Sequence, residues 1–333
     1  MSGGVCRAAS ISLDGLEGIT VLVEAAVSNQ LPGMAIVGLP DTAVAEAKQR
    51  VRIAIQQVGF ELSHRFLLVN LSPATLPKQG SGFDLAIALA ALAASGGLSA
   101  DRLSGTAHIG ELSLDGGLRR PPGLLSAVLA ARRLGFRRVM VPEVAADEAA
   151  LVPGVEIIAA RDLRGAGSWY RGEPDGWRIA EPDPGRITDP DDDAGGSAER
   201  GSSRGAEGVP DISDVVGQPQ AVEAMVVAAA GRHHVSLVGP PGAGKTLLAK
   251  RLPTILPDLT TEEATVVSSI VSLGGTPLTG LVRRPPFESP HHTASAAAII
   301  GSGDGTTVRP GAITRACYGV LFLDELGTGK YTS

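Results

Sequence analysis

Aromatic side chains are scarce. They make up 3% of the 333 residues, so Ala and Gly must do much of the filling. Cysteine is rarer still: Cys6 and Cys317 stand far apart, which excludes a disulfide framework or a cysteine-based zinc site and fits a reducing compartment. There is no excess of positive charge either. Lys and Arg total 29 against 35 Asp and Glu, a net −6. A wholly basic nucleic-acid binder is excluded, while a local basic stripe is not. No long apolar run occurs. The most apolar stretch, Leu85–Ala94, is about half of the roughly 20 residues a bilayer-spanning helix needs. The start, MSGGVCRAAS, lacks the basic residues followed by an apolar run that mark a signal peptide. The expectation is a cytoplasmic protein without a membrane segment.

What is present points to two domains. Apolar residues reach 44%, ample for a core, and the length fits about two domains of ordinary size. Composition breaks between Gly172 and Gly208, where Pro, Gly, Ser and Asp accumulate without apolar periodicity. Such a stretch cannot bury enough surface to offset its ordering entropy and reads as a flexible linker. The acidic run Asp189–Asp193 within it reads as solvated linker, with a docking or metal role as the alternative. The expected division is 1–171, a linker at 172–208, and 209–333.

The first part alternates strand and helix signals. Ile19–Val23, Phe66–Val69, Arg137–Val141 and Val155–Ile158 read as strands. Asp41 can cap a helix with apolar positions Val44, Ala47, Val51, Ile55 and Val58. Asp84–Ala94 is apolar nearly all round, so it is expected to be a buried helix. His108–Leu118 holds a hairpin about Asp115-Gly116, and Leu124–Leu134 a helix ended by Gly135. This alternation predicts an α/β unit. In the second part, Gln220–Ala230 and Lys245–Leu252 read as helices, His234–Val238 and Gly319–Leu323 as strands.

The stretch Gly239–Thr246, GPPGAGKT, follows a predicted strand and opens a predicted helix. That is the context of a phosphate-binding loop. Gly239, Gly242 and Gly244 let the backbone curl around Pro240, Pro241 and Ala243, turning N–H groups toward a phosphate chain. Lys245 can reach the β- and γ-phosphates of ATP, and Thr246 can ligate Mg2+. Downstream, VLFLDE delivers Asp324 and Glu325 at the end of an apolar strand. Asp324 is assigned to the magnesium through water and Glu325 to orienting the attacking water.

With these motifs in view, the second part resembles the ComM/YifB family of magnesium-chelatase-like AAA+ ATPases. The resemblance runs through VPDISDVVGQPQAVEA from Val209 and RHHVSLVGPPGAGKTLLAKRLPTILP from Arg232. It continues in PPFESPHHTASAAAIIGSG from Pro285 and RPGAITRACYGVLFLDEL from Arg309. His291 and His292, inside this stretch, project differently and make a poor metal pair, so a structural or contacting loop is the reading.

The first part, through LPKQGSGFDLAIAL from Leu76 and HIGELSLDGGLRRPPGLLSAVLAAR from His108, resembles the Lon-type protease fold, the ribosomal S5 domain 2-like fold. That family pairs a serine with a lysine, because a serine hydroxyl needs a neighbouring base to become a nucleophile. The serine position carries Gly82 and the lysine position Leu125, and no lysine lies in Leu124–Arg138. Ser81 and Lys78 are read as ordinary loop residues and the domain as a protease fold reused for binding or assembly. Arg119, Arg120, Arg132, Arg133, Arg137 and Arg138 form either a phosphate-facing stripe or a solvated face, with no aromatic run nearby for base stacking.

The family pattern stops after Leu326, so the expectation is an N-terminal fragment with an incomplete AAA+ domain. The resemblance implies an ATP-dependent DNA branch-migration motor, hexameric at full length, acting in recombination and natural transformation. The competing expectations are a metal-chelatase motor subunit and a non-enzymatic binding module formed by the first domain.

Overall fold

The computed structural model describes residues 5–28, 31–38, 41–59, 66–73, 82–188, 211–303 and 308–324. These fall into two compact units. The first takes residues up to Arg186, 271–280 and the described part of 303–308; the second takes the rest.

In chain order the first unit begins with β1 (Cys6–Asp14), β2 (Glu17–Ser28), β3 (Gly33–Val37), α1 (Asp41–Gln57) and β4 (Phe66–Ser72). There follow α2 (Asp84–Ala94), β5 (Thr106–His108), the short pair β6 (Glu111–Leu112) and β7 (Leu118–Arg119), and α3 (Leu124–Arg133). It continues with β8 (Arg138–Pro142), α4 (Ala146–Ala150), β9 (Glu156–Ala160), α5 (Leu163–Arg171) and β10 (Trp177–Ala180). Eight strands form one mixed sheet in the order β10-β9-β8-β5-β1-β2-β4-β3. The β1–β2 hairpin runs in register from Cys6 opposite Ala25 to Asp14 opposite Glu17. On one side of it β5, β8 and β9 continue in parallel. Parallel neighbours need crossovers, and α3 and α4 supply covering layers as such connections do.

The expected buried helix is α2. Its side chains from Leu85 to Leu92 are at most 1% exposed, and it packs on β1 and β2. Burying one such Leu or Ile contributes about 1.5–3 kcal/mol. The apolar positions of α1 at Ala47, Val51 and Ile55, and Val58 just past its end, are buried as their spacing of threes and fours requires.

The linker reading needs a correction at its start. Trp177–Ala180 is not linker but strand β10, paired antiparallel with β9. Trp177 meets Trp169 edge to face, with ring centroids 4.5 Å apart, and donates its Nε1–H to the Glu173 carbonyl. Two tryptophans supply the apolar surface that Pro/Asp-rich composition lacks. Asp189–Asp193 lies outside the described residues.

The second unit contributes β11 (Ile187–Thr188), α6 (Pro219–Gly231) and α7 (Lys245–Arg251). Next come α8 (Thr261–Leu273), whose last turn belongs to the first unit, β12 (Leu281–Val282), β13 (Phe287–Glu288) and α9 (Ala296–Ile300). The chain goes on through β14 (Gly301–Gly303), β15 (Val308–Pro310), α10 (Ala312–Arg315) and β16 (Val320–Leu321). The apolar stretch Gly319–Leu323 shrinks to β16, which pairs in parallel with β13. The stretch His234–Val238 is no strand. Among the described residues nothing pairs with it, and Val238 is 94% exposed. A strand is defined by its partner, so an apolar β-branched run without one stays irregular. No helix among the described residues is long and apolar enough to cross a membrane.

Candidate functional site

The phosphate-loop sequence forms a turn between an irregular approach and a helix. Gly242 and Gly244 both sit at φ +82°, where a side chain would be strained. A Cβ on Gly244 would also lie 3.0 Å from Gln218 Nε2, whereas Gly242 faces open space. Gln218 holds the loop from behind, donating to the Ala243 carbonyl at 3.2 Å. Lys245 is the first residue of α7, anchored on its inner side by buried Leu248 and Ala249. Its ammonium donates to the Gly239 carbonyl at 2.9 Å and the Pro240 carbonyl at 3.0 Å. The loop thus closes over its own lysine. Thr246 is exposed beside it.

Asp324 follows β16 and is half-buried; Glu325 lies outside the described residues. Because 234–238 joins no ladder among the described residues, no sheet register fixes the loop against the acidic strand. The base of β16 is braced by Phe287 and Phe322, whose rings stack at 6.3 Å. Arg315 forks onto Glu288 at 3.0 and 2.9 Å, a planar bidentate pair. His291 bonds the Thr293 hydroxyl at 2.7 Å through Nδ1. Among the described residues no group of three or more His, Cys, Asp or Glu could hold a metal ion.

In the first unit the loops before α2 and α3 meet. A Cβ on Gly82 would lie 3.7 Å from Pro121. Gly82 has no side chain, and the Leu125 side chain is 1% exposed. These two positions offer neither a nucleophile nor an amine; Ser81 and Lys78 lie outside the described residues. Charge is nonetheless buried nearby. Asp84, 1% exposed, accepts from Arg50 at 2.8 and 3.3 Å and from the Leu112 N–H at 3.3 Å. Burial pushes its carboxyl up to about 6, against the pull of Arg50.

The basic stripe is broken. Arg120 turns inward to Glu148, forming two hydrogen bonds between groups that are 10% and 1% exposed. Arg133 faces Glu17 at 3.6 Å on the surface. Sequence reasoning missed the inward turn of Arg120 because its partner Glu148 is 28 residues away.

Comparison with known proteins now assigns the class. Family models for magnesium chelatase, subunit ChlI, match residues 211–331, and for subunit ChlI of Mg-chelatase, residues 23–145. The uncharacterized protein Rv2897c of Mycobacterium tuberculosis is 46% identical over 324 residues, 96% of this chain and 60% of that protein. The uncharacterized protein YifB of Escherichia coli is 40% identical over 313 residues, covering 94% and 58%. Competence protein ComM of Haemophilus influenzae is 37% identical over 316 residues, again covering 94% and 58%. The chain belongs to the magnesium-chelatase-like ComM/YifB family. It spans about 60% of the length of these relatives.

Proposed function

We propose that this chain is the ATP-binding part of an AAA+ motor, preceded by a Lon-protease-like domain without its Ser/Lys dyad. The observation that carries the reading is the loop Gly239–Thr246. It has two glycines at positive φ, a lysine at the helix start and an exposed threonine hydroxyl beside it. The residues fit a magnesium nucleotide. The Lys245 ammonium is satisfied by two loop carbonyls, which phosphate oxygens can replace with stronger, charge-assisted bonds. Thr246 and Asp324 would hold Mg2+, and Glu325 would orient the attacking water. Bound magnesium supplies neutralisation of phosphate charge. One of the relatives is named a competence protein. A DNA branch-migration role in recombination and natural transformation, as a cytoplasmic homohexamer, is accordingly proposed for the whole protein.

The test is binding of a fluorescent ATP analogue with Mg2+. Lys245→Ala should weaken it at least tenfold, since a charge-assisted contact contributes about 1.5–3 kcal/mol. Superimposable isotherms would refute the assignment. The same samples test a narrower reading, binding without turnover, which the lack of a ladder at 234–238 among the described residues favours. Phosphate release at motor rates, abolished by Glu325→Gln, would sink that narrower reading.

A further inference from the structure

Residues 271–280 belong to the first unit although the chain on either side, 187–270 and 281–302, belongs to the second. A concentrated polar cluster ties their first residues, up to Thr276, to the loop before α3 and to α4. Arg120 reaches the Gly275 carbonyl through Nη1 at 3.1 Å. Through Nη2 it reaches the Thr276 carbonyl at 3.0 Å, the Ser272 carbonyl at 3.4 Å and the Ser272 hydroxyl at 3.2 Å. The same guanidinium forks onto Glu148. The Ser272 hydroxyl in turn donates to Glu148 Oε1 at 2.6 Å. From the start of α3, the Gly123 N–H donates to the Ser272 carbonyl at 2.9 Å and the Leu125 N–H to the Ser272 hydroxyl at 3.2 Å.

We propose that Arg120 and Glu148 form a clasp that binds the 271–276 turn as an internal ligand of the first unit. The chemistry is specific. The last carbonyls of a helix have no intrahelical donor and carry partial negative charge. A guanidinium with five fixed N–H groups answers the Ser272 carbonyl at the end of α8 together with the Gly275 and Thr276 carbonyls just beyond it, and Glu148 keeps that guanidinium in place. Glu148 and Ser272 are 1% and 0% exposed, so removing one partner leaves the others buried without a bond. Gly123 permits the approach: it sits at φ +73°, and a Cβ there would lie 2.6 Å from Leu13 and 3.3 Å from Leu273. The bonds are polar and gather on Arg120, Glu148 and Ser272, apart from the apolar core around α2.

Hydrogen exchange with mass spectrometry on the whole chain tests this. Arg120→Ala should speed exchange of the amides in 271–276, and of Gly123 and Leu125, at least tenfold. Amides of the β1–β2 hairpin should be unchanged, and Arg120→Lys should fall between. If 271–276 stays protected in Arg120→Ala while the hairpin is intact, the clasp is overturned, and Leu273 packing holds the turn. If Arg120→Ala unfolds the unit, Ser272→Ala decides: faster exchange confined to the same amides supports the clasp, and wild-type exchange there overturns it.

Discussion

Acidification should erode what one buried histidine contributes to the first unit. His108 is fully buried. Its Nδ1 lies 3.0 Å from the Ala9 carbonyl and its Nε2 2.5 Å from the Tyr170 hydroxyl. A carbonyl can only accept, so Nδ1 carries the proton and Nε2 accepts from the tyrosine. Protonating Nε2 would break that bond and leave an imidazolium in the core. Burial accordingly lowers the His108 pKa from 6.5 to about 4. With the folded value below the unfolded one, the contribution is complete above about pH 6.5 and is lost as pH falls toward 4. Each pH unit in that window costs about 1.4 kcal/mol, or about 3 kcal/mol across it. Asp84, raised to about 6, acts oppositely, since its stability contribution is lost as pH rises toward 6. The effect of His108 is therefore read as a difference. Urea unfolding at several pH values, on wild type and His108→Asn, cancels the Asp84 share. Tryptophan fluorescence suits the purpose, because the two tryptophans, Trp169 and Trp177, both stand in the first unit. Between pH 6.5 and 5 the advantage of wild type over the variant should shrink by about 2 kcal/mol. A difference that stays constant over this range would refute the buried neutral histidine.

Two further outcomes are expected. In Gly165→Ala the new methyl would fall well inside van der Waals distance of the Gly176 carbonyl. The first unit should lose about 1–3 kcal/mol in the same urea assay; an unchanged midpoint would contradict the close approach of α5 to the start of β10. A serine-directed fluorophosphonate should leave the chain unlabelled, because Gly82 and a buried Leu125 stand at the resembling dyad positions; labelling lost on Ser81→Ala would overturn the proposal that the dyad is absent.

Much of this protein is readable residue by residue. The helix α2 announces itself because it is apolar on every side, and α1 because its apolar residues recur at threes and fours. The proposed phosphate loop is equally local: its glycines, lysine and threonine lie within one turn, so the reading rests on eight consecutive residues, Gly239–Thr246. Tertiary structure decided whatever depends on a distant partner. Strand β1 has little apolar signal of its own yet lies centrally in the sheet, because β2 and β5 pair with it. The apolar run 234–238 has the opposite fate, reading as a strand and finding no ladder among the described residues. Arg120 reads as one more surface arginine until Glu148 and Ser272 are placed beside it. Local periodicity encodes which face of an element is apolar. Pairing, burial of charge and the company of residues 271–280 are pairwise quantities, and only the folded chain brings both members together.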